Sequence, residues 1–134
     1  MKAVDTSVIV AGFASWHESH TPARRALDEH PSLIGHCALE TYSVLTRLPA
    51  PHRAPPRLVA QFLAVRFPGV PLTLPGAAQL ELVARLAAAG ISGGAVYDAL
   101  VGATAAHHGA TLLTLDGRAQ EIYERLRVKY VRLG

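Results

Sequence analysis

The chain has 134 residues, half of them hydrophobic, with 17% charged residues and a formal net charge of +3. That length and composition suit one domain, residues 1–134, with a sizeable core. They exclude a membrane-spanning helix, because no apolar stretch reaches about 18 residues, and the single cysteine, Cys37, excludes an internal disulfide.

The N-terminus enters a strand-like run directly, without a signal-peptide pattern, so a cytoplasmic protein is expected. Eleven of the thirteen basic residues are Arg. Arg pairs bidentately with phosphate, which fits a nucleic-acid partner. An ordinary mildly basic surface fits as well, since Arg24 and Arg25 are the only adjacent basic pair.

In chain order, residues 2–5 read as a short buried strand. Thr21-Pro22 predicts an N-cap with Pro at the first helical position, opening a helix to about His30. Residues 33–36 form a second strand. A helix from about Cys37 to Leu48 follows, with Ala38, Tyr42 and Leu45 on one face. Pro49, Pro51, Pro55 and Pro56 stop it. Residues 57–66 return to helix, with a stripe of Leu58, Phe62 and Val65. Val70 to Leu74 reads as a third strand, placed at an edge by Pro71. Pro75 opens a helix to Ala89, closed by Gly90. Helix over 94–108, strand over 111–115, helix over 117–127 and strand over 129–133 complete the chain. Five strands alternating with helices imply an α/β fold with a mostly parallel sheet flanked by helices.

Four acids stand out among only ten Asp and Glu: Asp5, Glu40, Asp98 and Asp116. Asp5 and Asp116 end the first and fourth strands. Glu40 follows the second strand. Asp98 opens the helix that leads into the fourth strand, so topology puts all four on one rim, where such folds bind ligands. Each has a plainer reading alone. Asp5 and Asp116 suit caps or turns, and Glu40 suits a first-turn acid favoured by the helix dipole. Asp98 is harder to dismiss, because Val101, Gly102 and Ala105 share its face and a lone buried carboxylate is costly. Clustered carboxylates repel, and a hard divalent cation is the usual way to hold them together.

Other constellations are weaker. The seven histidines show no zinc-protease spacing. No Lys follows Ser92-Gly93-Gly94 as a phosphate loop requires. Ser7 lacks the glycine pattern of a nucleophile elbow.

Together, Val4-Asp5-Thr6-Ser7, Glu40, the run Ser92-Gly93-Gly94-Ala95-Val96-Tyr97-Asp98-Ala99-Leu100 and the run from His108 to Asp116 resemble the PIN-domain nucleases. The resemblance is specifically to VapC-type toxins of type II toxin–antitoxin modules, and it covers essentially the whole chain. It implies a PIN-like fold and a Mg2+- or Mn2+-dependent endoribonuclease, neutralised by a cognate antitoxin. It further implies a homodimer, and a toxin–antitoxin complex that binds its operator through the antitoxin. Carried over by position, Asp5, Asp98 and Asp116 are the expected metal ligands, and Glu40 completes the catalytic set. Thr6 and Thr114 are expected to orient the carboxylates. Gly117 departs from the basic or polar residue common in related sequences. The carboxylate set suits Mg2+ or Mn2+, and single-stranded loops are the plausible RNA target. Two other readings stay open: a PIN-type nuclease acting on structured DNA, and a non-catalytic binding module. The apolar Leu27, Leu58, Phe62 and Phe67 are expected to border an antitoxin groove.

Overall fold

The computed structural model describes residues 1–134. Four strands, β1 (Lys2–Val4), β2 (Ser32–Leu33), β3 (Thr111–Thr114) and β4 (Tyr130–Arg132), form one sheet in the order β2-β1-β3-β4. Every pairing is parallel. Seven helices cover it: α1 (Thr6–Phe13), α2 (His20–Asp28), α3 (Gly35–Thr46), α4 (Pro56–Arg66), α5 (Gly76–Ala89), α6 (Ala95–His107) and α7 (Gly117–Arg125).

The expected third strand, 70–74, is not a strand. It contributes one parallel bridge, Leu72 to Ile34, with Leu72 N–H donating to Leu33 O at 2.8 Å and Gly35 N–H to Leu72 O at 2.9 Å. Pro71 and Pro75 remove donors on both sides, so the ladder cannot lengthen. The sheet therefore has four strands rather than five.

The sequence pattern also gives no sign of α1. Its eight residues, Thr6 to Phe13, are apolar almost throughout, and Val8, Ile9, Ala11 and Gly12 are all buried. A helix buried on several sides shows no 3.6-residue alternation. Room for it comes partly from Gly12, where an added Cβ would lie 2.3 Å from Leu27 Cδ1.

Two helix starts move. The chain enters α2 at His20, with Ser19 rather than Thr21 at the cap position. Pro22 is then the third helical residue, still inside the turn whose N–H groups lack intrahelical partners. Helix α3 begins at Gly35, two residues early, and buries Cys37, Thr41 and Leu45. Tyr42, expected on the inner face, is 40% exposed.

The main core contains Ala3, Val4, Val8, Ile9, Leu112, Leu113 and Tyr123 among 20 buried residues. It lies where β1 and β3 meet α1 and α7. From β1 the chain crosses to β2 on one side, then returns to β3 on the other. The switch point lies between β1 and β3, where open parallel sheets form their crevice at the strands' carboxyl ends. Asp5 and Asp116 occupy those ends.

Candidate active site

Asp5 is the N-cap of α1. Its Oδ1 accepts the Ser7 N–H at 3.1 Å and the Ser7 hydroxyl. Its Oδ2 accepts the Tyr123 hydroxyl at 2.9 Å, from α7. Asp116 is the N-cap of α7, and its Oδ1 accepts Arg118 N–H at 2.9 Å and Ala119 N–H at 3.4 Å. The capping reading and the clustering reading thus both hold. A cap points its carboxylate along the helix entry, and both helices start at the same rim.

Two hydroxyls lock these junctions together. Ser7 Oγ accepts the Leu115 N–H at 2.8 Å, and Thr114 Oγ1 accepts the Asp116 N–H at 3.0 Å. The two oxygens are 3.5 Å apart. Thr114 therefore orients the Asp116 backbone and stands beside Asp5. The Thr6 hydroxyl is buried beside the Cys37 thiol and makes no hydrogen bond to any of the four acids. Ser7, one residue on, bonds the Asp5 carboxylate because the first turn of α1 aims it back at its cap.

Asp98 lies in the first turn of α6. Glu40 lies in the second turn of α3, not the first, so the helix dipole does not explain it. Asp5, Glu40, Asp98 and Asp116 line one pocket of about 30 Å3, together with Thr6, Ser7, Val101 and Tyr123. Cavities of about 280, 250 and 350 Å3 lie elsewhere, so size alone would have pointed away from the acids.

The electrostatics report the crowding. Burial, then repulsion from Asp116, Glu40 and Asp5, pushes the Asp98 carboxyl up to about 6. Burial likewise raises Asp5, against the lowering effect of hydrogen bonds from Ser7, Thr114 and Tyr123. The Tyr123 hydroxyl is raised by burial and by Asp5, which fixes it as a donor. Burial pushes the Cys37 thiol up to about 12, so it stays uncharged.

The donor set, four carboxylates around one small pocket, fits a hard divalent cation. No three of these side chains converge on one point in their present rotamers, so ligation calls for side-chain rotation. Asp98, steadied by no hydrogen bond, has that freedom. Basic residues lie near Asp116 on the β4 and α7 side. Arg118 follows Asp116 by two residues. At Gly117 an added Cβ would lie 3.3 Å from both Arg132 terminal nitrogens. The missing side chain thus leaves space that the Arg132 guanidinium occupies.

A stability consequence follows. A carboxyl raised from 3.8 to about 6 on folding binds its proton more tightly in the folded chain. Its contribution is fully present below about 3.8 and is lost as pH rises through about 6. The metal-free protein is expected to melt higher at pH 5 than at pH 7.5, and Asp98→Asn to flatten that difference. Because Asp98 is partly solvated, the effect is on the order of 1 kcal/mol. Scanning calorimetry in EDTA checks it.

A parallel α/β sheet with four carboxylates in the crevice at its switch point defines the class of site. The PIN domain family model matches residues 2–125. Ribonuclease VapC40 of Mycobacterium tuberculosis strain H37Rv is 55% identical over 129 residues, covering 96% of each chain. Ribonuclease VapC27 of the same strain is 45% identical over 131 residues, covering 96% of this chain and 94% of its own. The chain belongs to the PIN-domain family and, within it, to the VapC-type ribonucleases.

Ser7 and Tyr123 are the site residues that the sequence leaves unmarked. Ser7 stands beside Asp5 and could be found from the capping preference alone. Tyr123 has no such signal, since only the tertiary fold joins residue 123 to residue 5.

Proposed function

We propose that this protein is the toxin of a type II toxin–antitoxin module, a divalent-metal-dependent endoribonuclease that hydrolyses RNA phosphodiester bonds. One observation carries the reading: four carboxylates from four separate elements line a single small pocket at the switch point. Capping accounts for Asp5 and Asp116 but not for Glu40 and Asp98 beside them, and the ribonuclease relatives agree with the reading.

Asp5, Asp98 and Asp116 are the residues that would hold Mg2+ or Mn2+, with Glu40 completing the catalytic set at the pocket's α3 side. When bound, the ion supplies a Lewis acid and an activated water. Ser7, Thr114 and Tyr123 hold Asp5 and Asp116 at the rim. Glu40 is the proposed proton acceptor for an incoming water. Arg118 and Arg132 bind the phosphates flanking the scissile bond. Val101 and Tyr123 wall the inner side of the pocket and keep bulk water from it. The assignment of RNA over DNA rests on the relatives, and comparing cleavage of matched RNA and DNA strands tests it.

The cognate antitoxin is the proposed protein partner. Leu27 and Phe67 are core residues, 1% and 8% exposed, so they do not border a groove as expected. Leu58 and Phe62 do, with Phe13, Arg24, Val65 and Arg66, around an open cavity of about 350 Å3. The Arg24 and Arg66 guanidinium carbons lie 5.6 and 5.8 Å from the Phe62 ring centroid. An antitoxin helix with apolar anchors and flanking acids suits this surface. Phe62→Asp is expected to lower antitoxin affinity by at least tenfold with a retained circular dichroism spectrum. Unfolding of this variant would instead place Phe62 in the structural core. Exposed Leu39, Leu80 and Val83 supply apolar area for the proposed homodimer. The antitoxin, seated in its groove, completes the hetero-oligomer.

A further inference from the structure

The two flanks of the acidic pocket differ in chemistry. Arg118 and Arg132 stand on the α7 and β4 side. The opposite flank, built by α3 and α6, carries no Lys or Arg anywhere in either helix. There the exposed group is aromatic. Tyr97, next to Asp98, is 56% exposed. Its ring lies parallel to His36, with planes 5° apart and centroids 5.3 Å apart. His36 comes from the first turn of α3, four residues before Glu40. Its Nε2 is 3.8 Å from Glu40 Oε2 and is buried without a hydrogen-bond partner.

We propose that the His36–Tyr97 stack is a subsite for one nucleobase of single-stranded RNA, adjacent to the scissile phosphate. The inference rests on the ribonuclease reading above. On this flank neither helix carries a Lys or Arg that could hold a flanking phosphodiester, as Arg118 and Arg132 are proposed to do on the other. Stacking on an aromatic face is indifferent to the charge and holds any unstacked base. The half-buried His36 ring backs one face of Tyr97, so less conformational freedom is lost on binding. The same arrangement predicts a structural preference: a base paired in a duplex cannot reach Tyr97, whereas a loop base can.

The test uses a short mixed-sequence single-stranded RNA, with the full-length protein in Ca2+ to suppress cleavage. Dissociation constants are measured for wild type, Tyr97→Phe and Tyr97→Leu, and for the same RNA with one base at a time removed. Tyr97→Phe is expected to bind within about twofold of wild type. Tyr97→Leu is expected to bind about 5- to 100-fold more weakly, the range that loss of one stacked base gives. Removing one particular base should weaken wild type by a similar factor and leave Tyr97→Leu unaffected. Undiminished RNA binding by a folded Tyr97→Leu overturns the subsite. So does a change in oligomeric state by sedimentation, which would make Tyr97 a contact between copies of the chain. A parallel assay in Mg2+ separates the two readings: weaker binding by Tyr97→Leu with no cleavage by wild type retains the subsite and rejects the nuclease.

Discussion

Asp98→Asn is expected to reduce RNA cleavage by about a thousandfold or more while the protein stays folded. The activity loss follows from the position of Asp98. No hydrogen bond holds it down, unlike Asp5 and Asp116, and its neighbours Asp116, Glu40 and Asp5 all press on its charge. Removing one oxygen donor and one negative charge from a hard-cation site removes both ligation and transition-state charge balance. A thousandfold corresponds to about 4 kcal/mol of barrier. Stability should move the other way. A neutral amide relieves repulsion among the remaining acids, so the metal-free variant is expected to melt at or above the wild-type temperature at pH 7.5. Asp5→Asn should lose activity equally. Its melt differs, because Oδ2 accepts the Tyr123 hydroxyl at 2.9 Å in a buried setting, and an amide placed there satisfies Tyr123 only if its oxygen faces the phenol.

Cleavage is expected to stop entirely in excess EDTA and to return with Mg2+ or Mn2+. Ca2+ is expected to bind with little turnover, since its looser coordination positions an attacking water poorly. Protons compete for the same oxygens. Because Asp98 titrates near 6, the apparent metal affinity should fall as pH drops from 7 to 5, earlier than ordinary carboxylates would dictate. Activity at fixed, subsaturating Mg2+ should fall over the same window, and raising the ion concentration should shift the fall to lower pH. A profile insensitive to ion concentration would detach the titration from the metal.

How much of this was legible in the sequence depends on what each residue touches. The parallel α/β layout and the four acids are visible, because strand ends and Gly or Pro punctuation are local signals. Asp5 and Asp116 can be placed at one rim from topology alone. The segment at Leu72 reads as a strand because its run is apolar, while two prolines leave it only one bridge. Helix α1 was silent for the opposite reason: a helix buried nearly all round erases the periodicity that announces helices. Face assignment on α3 missed because the buried stripe is Cys37, Thr41 and Leu45, with a polar Thr at its centre, while the adjacent Tyr42 faces solvent. Of the supporting contacts, Ser7 to Asp5 lies within one turn and was reachable. Tyr123 to Asp5 spans 118 residues, and the His36–Tyr97 stack joins two helices 61 positions apart, so only the folded chain reveals them. Within Asp5-Thr6-Ser7, the bonds to the Asp5 carboxylate come from Ser7.

The measurement that most directly tests the central claim is a single titration of Mn2+ into wild type and Asp98→Asn, following bound ion by electron paramagnetic resonance and RNA cleavage in the same samples. The carboxylate-centre account predicts that cleavage rises with the fraction of bound ion in wild type, and that Asp98→Asn loses both together. Cleavage by wild type that continues undiminished in excess EDTA, while an Asp5→Asn preparation made in parallel remains inactive, would contradict it: the acids would then act without a metal.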